Sequence, residues 1–287
     1  ELDEEGRVRG ALSFSFLDKP WLAIGPDPDA LEFDIIYVTY TDFVLSYEIF
    51  YIGEMPFTGL PKMETTIRMV KSKDGGLTWS EPISVSPTML DAYGDVEPAP
   101  DVPNQSVLGT QRAVQGSQCA VGPDGALYVA WLDTTDDDSM KGLGEIYVAR
   151  SDDGGKSFQK EKRAAVFNEV GFRPRNAFFR FWGAGFPQLA VGSQGEVFVA
   201  YTARPSDLSK AGDDGDIYIT RSNDKGETWT VRPTRLNQDE TSRVQFFPSI
   251  TVGPDGTVHA MWGDMRDDPQ EIRYHIYYTR SLDGGST

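Results

Sequence analysis

Hydrophobic and polar positions alternate along most of the chain in runs of five to eight residues. Ile67–Ser72 reads IRMVKS, Ile146–Ser151 IYVARS, Ile217–Ser222 IYITRS and Ile276–Ser281 IYYTRS. A period of two, carried by β-branched and aromatic residues, predicts strands. No helical period of useful length is present. Ahead of each run stands a strand, a tight turn and a second strand. These read CAVGPDGALYVAW at Cys119, LAVGSQGEVFVAY at Leu189 and ITVGPDGTVHAMW at Ile250. The copy at Leu22, LAIGPDPDALEFDIIYVTY, has a longer turn. Each G-x-x-G supplies glycine where a hairpin needs a positive φ. A fourth strand is predicted after the first and third runs, in SEPISVS at Ser80 and TVRPTRL at Thr230.

Between the third and fourth strands lies S-x-D-x-G-x-[TS]-[WF]. It reads SKDGGLTW at Ser72, SDDGGKSF at Ser151, SNDKGETW at Ser222 and SLDGGST at Ser281, where the sequence stops. The aspartates Asp74, Asp153, Asp224 and Asp283 can accept backbone N–H bonds across the turn. Gly76, Gly155 and Gly226 suit a left-handed backbone. Trp79, Phe158 and Trp229 are expected to pack between strands. A unit of four antiparallel strands repeated about every 60–80 residues is the pattern of propeller blades. The predicted fold is therefore an all-β propeller of four-stranded antiparallel blades, four of them visible.

The repeated turn is an Asp-box, and the chain resembles the Asp-box (BNR repeat) propellers of the sialidase (neuraminidase) superfamily from Lys19 onward. The resemblance implies a secreted or cell-surface protein, usually six-bladed, either an exo-sialidase-like glycosidase or a member without activity. It also puts the Asp-box turns on the face away from the pocket. The blades are expected at about 17–90, 115–168, 184–237 and 246–287 of a single domain over 1–287, with an inserted loop at 43–62. The last motif ends before its aromatic residue. The domain is therefore expected to be C-terminally incomplete. The alternative is that Arg7–Phe16 (RVRGALSFSF) supplies the last strand and closes a four-bladed ring.

Composition narrows the chemistry. Among 287 residues, 27 Lys plus Arg face 44 Asp plus Glu, a net charge of −17. Such a surface repels nucleic acid phosphates and anionic lipid, so neither nucleic acid nor membrane insertion is expected. No apolar run reaches the ~18 residues of a membrane helix. One cysteine, Cys119, and two histidines, His259 and His275, leave no Cys or His metal cage. A Ser-His-Asp reading is weak, because both histidines fall within predicted strands.

Candidate ligand residues gather in the loops between strands 2 and 3 and between blades. Asp42, Asp133 and Asp264 each follow a Tyr or Trp by two residues. Acidic runs follow at Asp136–Asp138, at Asp213, Asp214 and Asp216, and at Asp267–Asp268. Calcium at Asp213, Asp214 and Asp216 is one reading, since Ca²⁺ takes six to eight oxygens; solvated acidic loops are the other. Arg112, Arg180 and Arg243 precede successive first strands, and Arg266 follows Asp264. The resemblance implies an arginine triad on a substrate carboxylate, and guanidinium forks suit that task. The competing reading is that each arginine neutralises an acidic loop. The family's opening arginine motif is absent: that position reads DKPW at Asp18–Trp21, and FRP at Phe172–Pro174 is only a partial echo. The apolar segment Phe43–Lys62 suggests a lid or a partner-binding patch. The expected function is non-catalytic recognition of glycans or proteins, with a glycosidase of the sialidase clan as the alternative.

Overall fold

The computed structural model describes residues 10–92, 113–134, 142–170, 186–205 and 215–285. Every regular element among them is a strand. Blade 1 holds β1 (Gly10–Asp27), β2 (Ala30–Ile52), β3 (Met55–Ser72), β4 (Ile83–Ser84) and β5 (Met89–Ala92). Blade 2 holds β6 (Val114–Val121), β7 (Leu127–Asp133), β8 (Leu143–Ser151) and β9 (Lys162–Asn168). Blade 3 holds β10 (Gln188–Val191), β11 (Val197–Ala203), β12 (Asp216–Ser222) and β13 (Thr234–Arg235). Blade 4 shows β14 (Gln245–Val252), β15 (Val258–Asp264) and β16 (His275–Ser281). All pairings between named strands are antiparallel and follow chain order, except that β5 returns to β3. Successive sheets pack face to face as the blades of a β-propeller.

The local causes are those the sequence names. In the hairpins of blades 2, 3 and 4, the second glycine of G-x-x-G takes φ 78°, 86° and 81° at Gly125, Gly195 and Gly256. The fourth strands of blades 1 and 3 shrink to two residues. Each follows a proline, Pro82 or Pro233, which removes a ladder donor.

Two expectations need correction. Residues 43–62 are not a loop. β2 and β3 run through them as a hairpin turned at Gly53 with φ 63°, with β1 alongside β2 as far as Ile49. The alternation continues past the blade, so the pairing continues with it. Nor does the N-terminal segment complete the last blade. From Gly10 it is the start of β1, paired with β2 of its own blade, Phe16 opposite Phe43. Those rings stack at 4.7 Å, with Phe14–Tyr47 at 6.2 Å and Phe50–Phe57 at 5.9 Å, forming an aromatic ladder.

The core lies between blades. Tyr37, Ile67 and Met69 of blade 1 pack on Cys119, Leu127, Val129 and Trp131 of blade 2. Tyr128, Ile146 and Val148 of blade 2 pack on Leu189, Val197 and Tyr201 of blade 3. Phe198 and Ile219 of blade 3 pack on Val258, Ile250 and Val252 of blade 4. In blades 2 and 3 one face of the sheet thus meets the preceding blade and the other meets the next. Cys119 is buried, and burial pushes its thiol up to about 11.

The serine–aspartate turns are self-contained. Ser72 Oγ donates to Asp74 Oδ1 at 2.8 Å and accepts from Gly76 N at 2.9 Å. Asp74 also accepts from Thr78 N at 2.9 Å and Thr78 Oγ1 at 2.6 Å. The same bonds recur at Ser222, Asp224 and Thr228, and at Ser151, Asp153 and Ser157. At Ser281, the bonds to Asp283 and from Gly285 N recur. Phe158 and Trp229 join the inter-blade cores, whereas Trp79 stays 45% exposed. These aspartates are structural.

The hydroxyl of Thr78 holds Asp74 down to about 2, and that of Thr228 does the same for Asp224. At Asp153, burial raises the carboxyl, but the Ser157 and Ser151 bonds outweigh it and hold it lower still. A carboxylate depressed in the fold stabilises fully above its unfolded value of roughly 4, and the contribution disappears as pH falls through the folded value. The denaturation midpoint is therefore expected to vary little between about pH 8 and 5 and to fall steeply below about pH 4. Replacing Asp74 and Asp224 by Asn should lower the midpoint at neutral pH and flatten the acid limb; an unchanged acid limb would refute the assignment.

Candidate functional site

The strand 2–3 ends of the blades share one construction. An aromatic residue of the second strand stacks on the third strand: Trp131 on Tyr147 at 6.3 Å, Tyr201 on Tyr218 at 6.0 Å and Trp262 on Tyr277 at 6.4 Å. Beside each of these three stacks, and at the same end of blade 1, a carboxylate is gripped by an arginine. The pairs are Asp42 with Arg68 Nε at 2.7 Å, Glu145 with Arg163 Nη1 at 2.6 Å, Asp216 with Arg235 Nη1 at 3.2 Å, and Asp264 with Arg266 Nη2 at 2.6 Å. Glu145, Asp216 and Asp264 are buried. A buried carboxylate needs such a partner.

The largest network spans blades 3 and 4. Asn237 Nδ2 donates to Asp216 Oδ1 at 2.5 Å, and stands 2.8 Å from both Asp239 Oδ1 and Gln245 Oε1. Gln245 Nε2 donates to Asp264 Oδ1 at 3.2 Å and to the Arg243 carbonyl at 2.8 Å. Asp264 further accepts from Trp262 Nε1 at 2.8 Å and from the Arg266 backbone N–H at 2.9 Å. Burial disfavours charge on Arg266, yet the Asp264 bond and charge raise its pKa, and its guanidinium lies 4.1 Å over the Tyr277 ring. Burial likewise disfavours charge on Asp239, but bonds from Thr241 and Asn237 keep its carboxyl below the usual range.

One exposed cluster adjoins this network. Asp267 Oδ2 accepts from Tyr277 Oη at 2.8 Å and lies 3.0 Å from His275 Nδ1. The two bonds, Tyr277's first, hold the Asp267 carboxyl low. Burial, then Glu145, pushes Tyr147 up to about 12, and the bond to Asp267 raises Tyr277.

The structure thus brings Asp216, Arg243, Asp264 and Arg266 into one region and employs them on one another. Arg243 Nη1 donates to the Arg266 carbonyl at 2.8 Å rather than opening toward a substrate. Asp133 is buried at the end of β7, opposite Glu145 of β8. Arg112, Arg180, Asp213 and Asp214 lie outside the described residues, as do Asp136–Asp138 and Phe172–Pro174. Asp216, expected as a metal ligand, is occupied by N–H donors of Asn237 and Arg235. Among the described residues no group of three His, Cys, Asp or Glu side chains is placed to hold a metal. Glu145, Asn237, Asp239, Gln245 and Tyr277, and the pairing of Asp267 with Tyr277 and His275, are additions to the sequence reading. A signal existed for part of this: the third strands open with E-I-Y, D-I-Y and H-I-Y at Glu145, Asp216 and His275.

No family model matches the chain, and no curated protein matches it. Solved structures do. An α-L-arabinanase of Penicillium chrysogenum, complexed with arabinobiose, matches with TM-score 0.50 and 16% identity, over 93% of this chain and 63% of its own. A leech intramolecular trans-sialidase gives 0.49 and 12%, over 94% and 50%. The Hadza microbial sialidase Hz136 gives 0.45 and 13%, over 94% and 57%. The chain spans less than two thirds of the length of each. It has the β-propeller fold.

Proposed function

We propose that the chain is part of a secreted or cell-surface propeller that recognises carbohydrate, and that its described residues bind a glycan without cleaving it. The observation that carries this reading is the occupancy of the blade mouths. Each of the four clamp arginines is already bonded to a carboxylate of the protein itself. Support for carbohydrate comes from the architecture, since the arabinanase with the same fold holds arabinobiose. The strongly acidic composition disfavours nucleic acid and anionic membranes. No helix among the described residues is long and apolar enough to cross a membrane.

Titration calorimetry with arabinobiose and 3′-sialyllactose, paired with a reducing-sugar assay on the same samples, tests the reading. Binding of either sugar without sugar release is the expected result. Release of sugar, or no binding to these or to a panel of neutral and acidic oligosaccharides, overturns it. The glycosidase reading has one observation in its favour, the exposed Asp267 carboxylate with Tyr277 and His275 at hydrogen-bond distance. On that reading turnover exists and Asp267→Asn removes it while the melting temperature holds.

A further inference from the structure

Blades 2 and 3 close their sheets differently, and the difference opens a groove on the rim between them. β9 of blade 2 has seven residues and pairs with β8 along its length. β13 of blade 3 has two, because Pro233 brings no N–H to the ladder, and residues 231–233 lie outside it. Two adjoining hollows, of about 830 and 960 Å³, run between β9 and residues 229–233, and Val166, Val231 and Pro233 line both. Blades 2 and 3 are each flanked by a blade on both sides, so the groove belongs to a complete joint.

One wall of the groove is a strand edge. Glu169 N donates to the Gly142 carbonyl at 2.6 Å, which makes these two a hydrogen-bonded pair of the ladder. Backbone groups alternate in direction along an antiparallel strand, so those of Phe167 and Ala165 turn in to β8, and those of Val166 and Asn168 turn out. The Asn168 carbonyl accepts from Arg204 N at 2.8 Å, a single bridge laid on the outer edge. Among the described residues no backbone bond reaches the Val166 N–H or carbonyl from outside the blade. Apolar side chains flank this edge, with Val166 47% exposed and Val231 94%. The charge runs opposite to that of the whole chain. Lys162, Arg163, Arg204 and Arg232 line the groove, and Glu227 is the one acidic residue that does, in a chain of net charge −17. Lys162 pairs with Glu227 at 3.0 Å and Arg163 with buried Glu145, and Arg232 is exposed.

We propose that this groove takes an extended peptide segment of a partner protein, alternating acidic and aliphatic residues, as a strand added to β9. The outward N–H and carbonyl of Val166 supply the backbone bonds and fix the register. Aliphatic side chains of the peptide lie against Val231 and Pro233, and its carboxylates meet Arg232 and the exposed parts of Lys162 and Arg163. Charge complementarity selects an acidic segment, because the groove gathers cations on an otherwise acidic protein. A polysaccharide could use that charge but has no peptide backbone to continue the ladder. The inference does not rest on the glycan reading, since the backbone edge of β9 takes no part in the carboxylate–arginine clamps.

Fluorescence anisotropy of the 287-residue chain with labelled synthetic peptides tests this. The probes are a peptide alternating Glu and Val, the same peptide N-methylated at its valines, and one alternating Lys and Val. The Glu–Val peptide is expected to bind, more weakly as salt rises. The N-methylated and Lys–Val peptides are expected to bind at least about tenfold less tightly, the equivalent of one hydrogen bond or ion pair. Val166→Pro removes the outward N–H at a place where an edge strand tolerates proline, and Arg232→Glu reverses an exposed charge. Each is expected to weaken binding by about tenfold, whereas Val166→Thr, which keeps the N–H, binds as the wild type does. Melting temperatures show whether the variants fold, and Val231→Asp at an exposed site replaces Val166→Pro if that one does not. Failure of the Glu–Val peptide to bind, equal binding of the N-methylated or Lys–Val peptide, or unchanged binding by the folded variants overturns the proposal.

Discussion

Trp131→Ala is expected to destabilise the fold by about 3–5 kcal/mol, the range for removing a large aromatic from a core. For a chain of this size that lowers the melting temperature by roughly 10 °C. Trp131 is 1% exposed, lies in the core between blades 1 and 2, and stacks on Tyr147. Removing it empties the joint at the mouth end, where neither sheet can collapse inward without breaking its own ladder. The companion variant separates packing from polarity. The indole N–H of Trp131 is buried without a hydrogen-bond partner among the described residues. Trp131→Phe deletes that donor and keeps most of the volume, so its cost should be a small fraction of the alanine cost. Urea denaturation of the two proteins reads the difference. Equal losses would mean that the indole nitrogen is bonded and that the packing account is wrong.

Asp264→Ala is expected to cost about 3–5 kcal/mol, because it leaves a part-buried arginine without its nearest counter-charge. Arg266 has a side chain 17% exposed and its guanidinium bonds Asp264 twice, while Asp239 stands at 3.7 Å. Three further donors lose their acceptor: Trp262 Nε1, Gln245 Nε2 and the Arg266 backbone N–H. Pairing Asp264→Leu with Arg266→Met removes both charges together and should recover a large part of the loss. Urea denaturation of the single and double variants is the measurement. The experiment also bears on function. A carboxylate serving catalysis would be replaced with little change in stability, whereas a structural clamp fails by unfolding. A stable Asp264→Ala protein would return Asp264 to the list of functional residues.

The reading of the arginines shows where sequence reasoning stops. Two accounts were open for Arg112, Arg180 and Arg243: a substrate triad, or neutralisation of acidic loops. Of these only Arg243 lies among the described residues, and there its guanidinium bonds a backbone carbonyl, while the ligand-face candidate Arg266 bonds a carboxylate. Arg266 bonds Asp264, two residues away, and Arg243 bonds the Arg266 carbonyl, 23 residues on. Nothing in the spacing of Arg243 distinguishes a guanidinium aimed at a pocket from one aimed at a neighbouring loop. The ribbon at 43–62 is a different case. Its alternation was legible as strand, but its composition suggested an insertion, and only the pairing of Phe43 with Phe16 and Thr65 shows that it extends the blade.

The sequence by itself determined the blade: the strands, their faces, and the serine–aspartate turns. All of these rest on interactions within a few residues. Strand alternation has a period of two, the hairpin needs a glycine at one position, and Ser72 reaches Asp74 and Gly76 across a single turn. Tertiary structure alone decided which carboxylate holds which arginine, which aromatic residues are buried, and which faces are left open. Asn237 of blade 3 meets Gln245 of blade 4 only because the two blades stand side by side. Ile217 and Ile276 occupy the same place in the same motif, yet one is buried and the other exposed. The repeat specifies what a face can pack against; whether a neighbour is present is a property of the assembled stack.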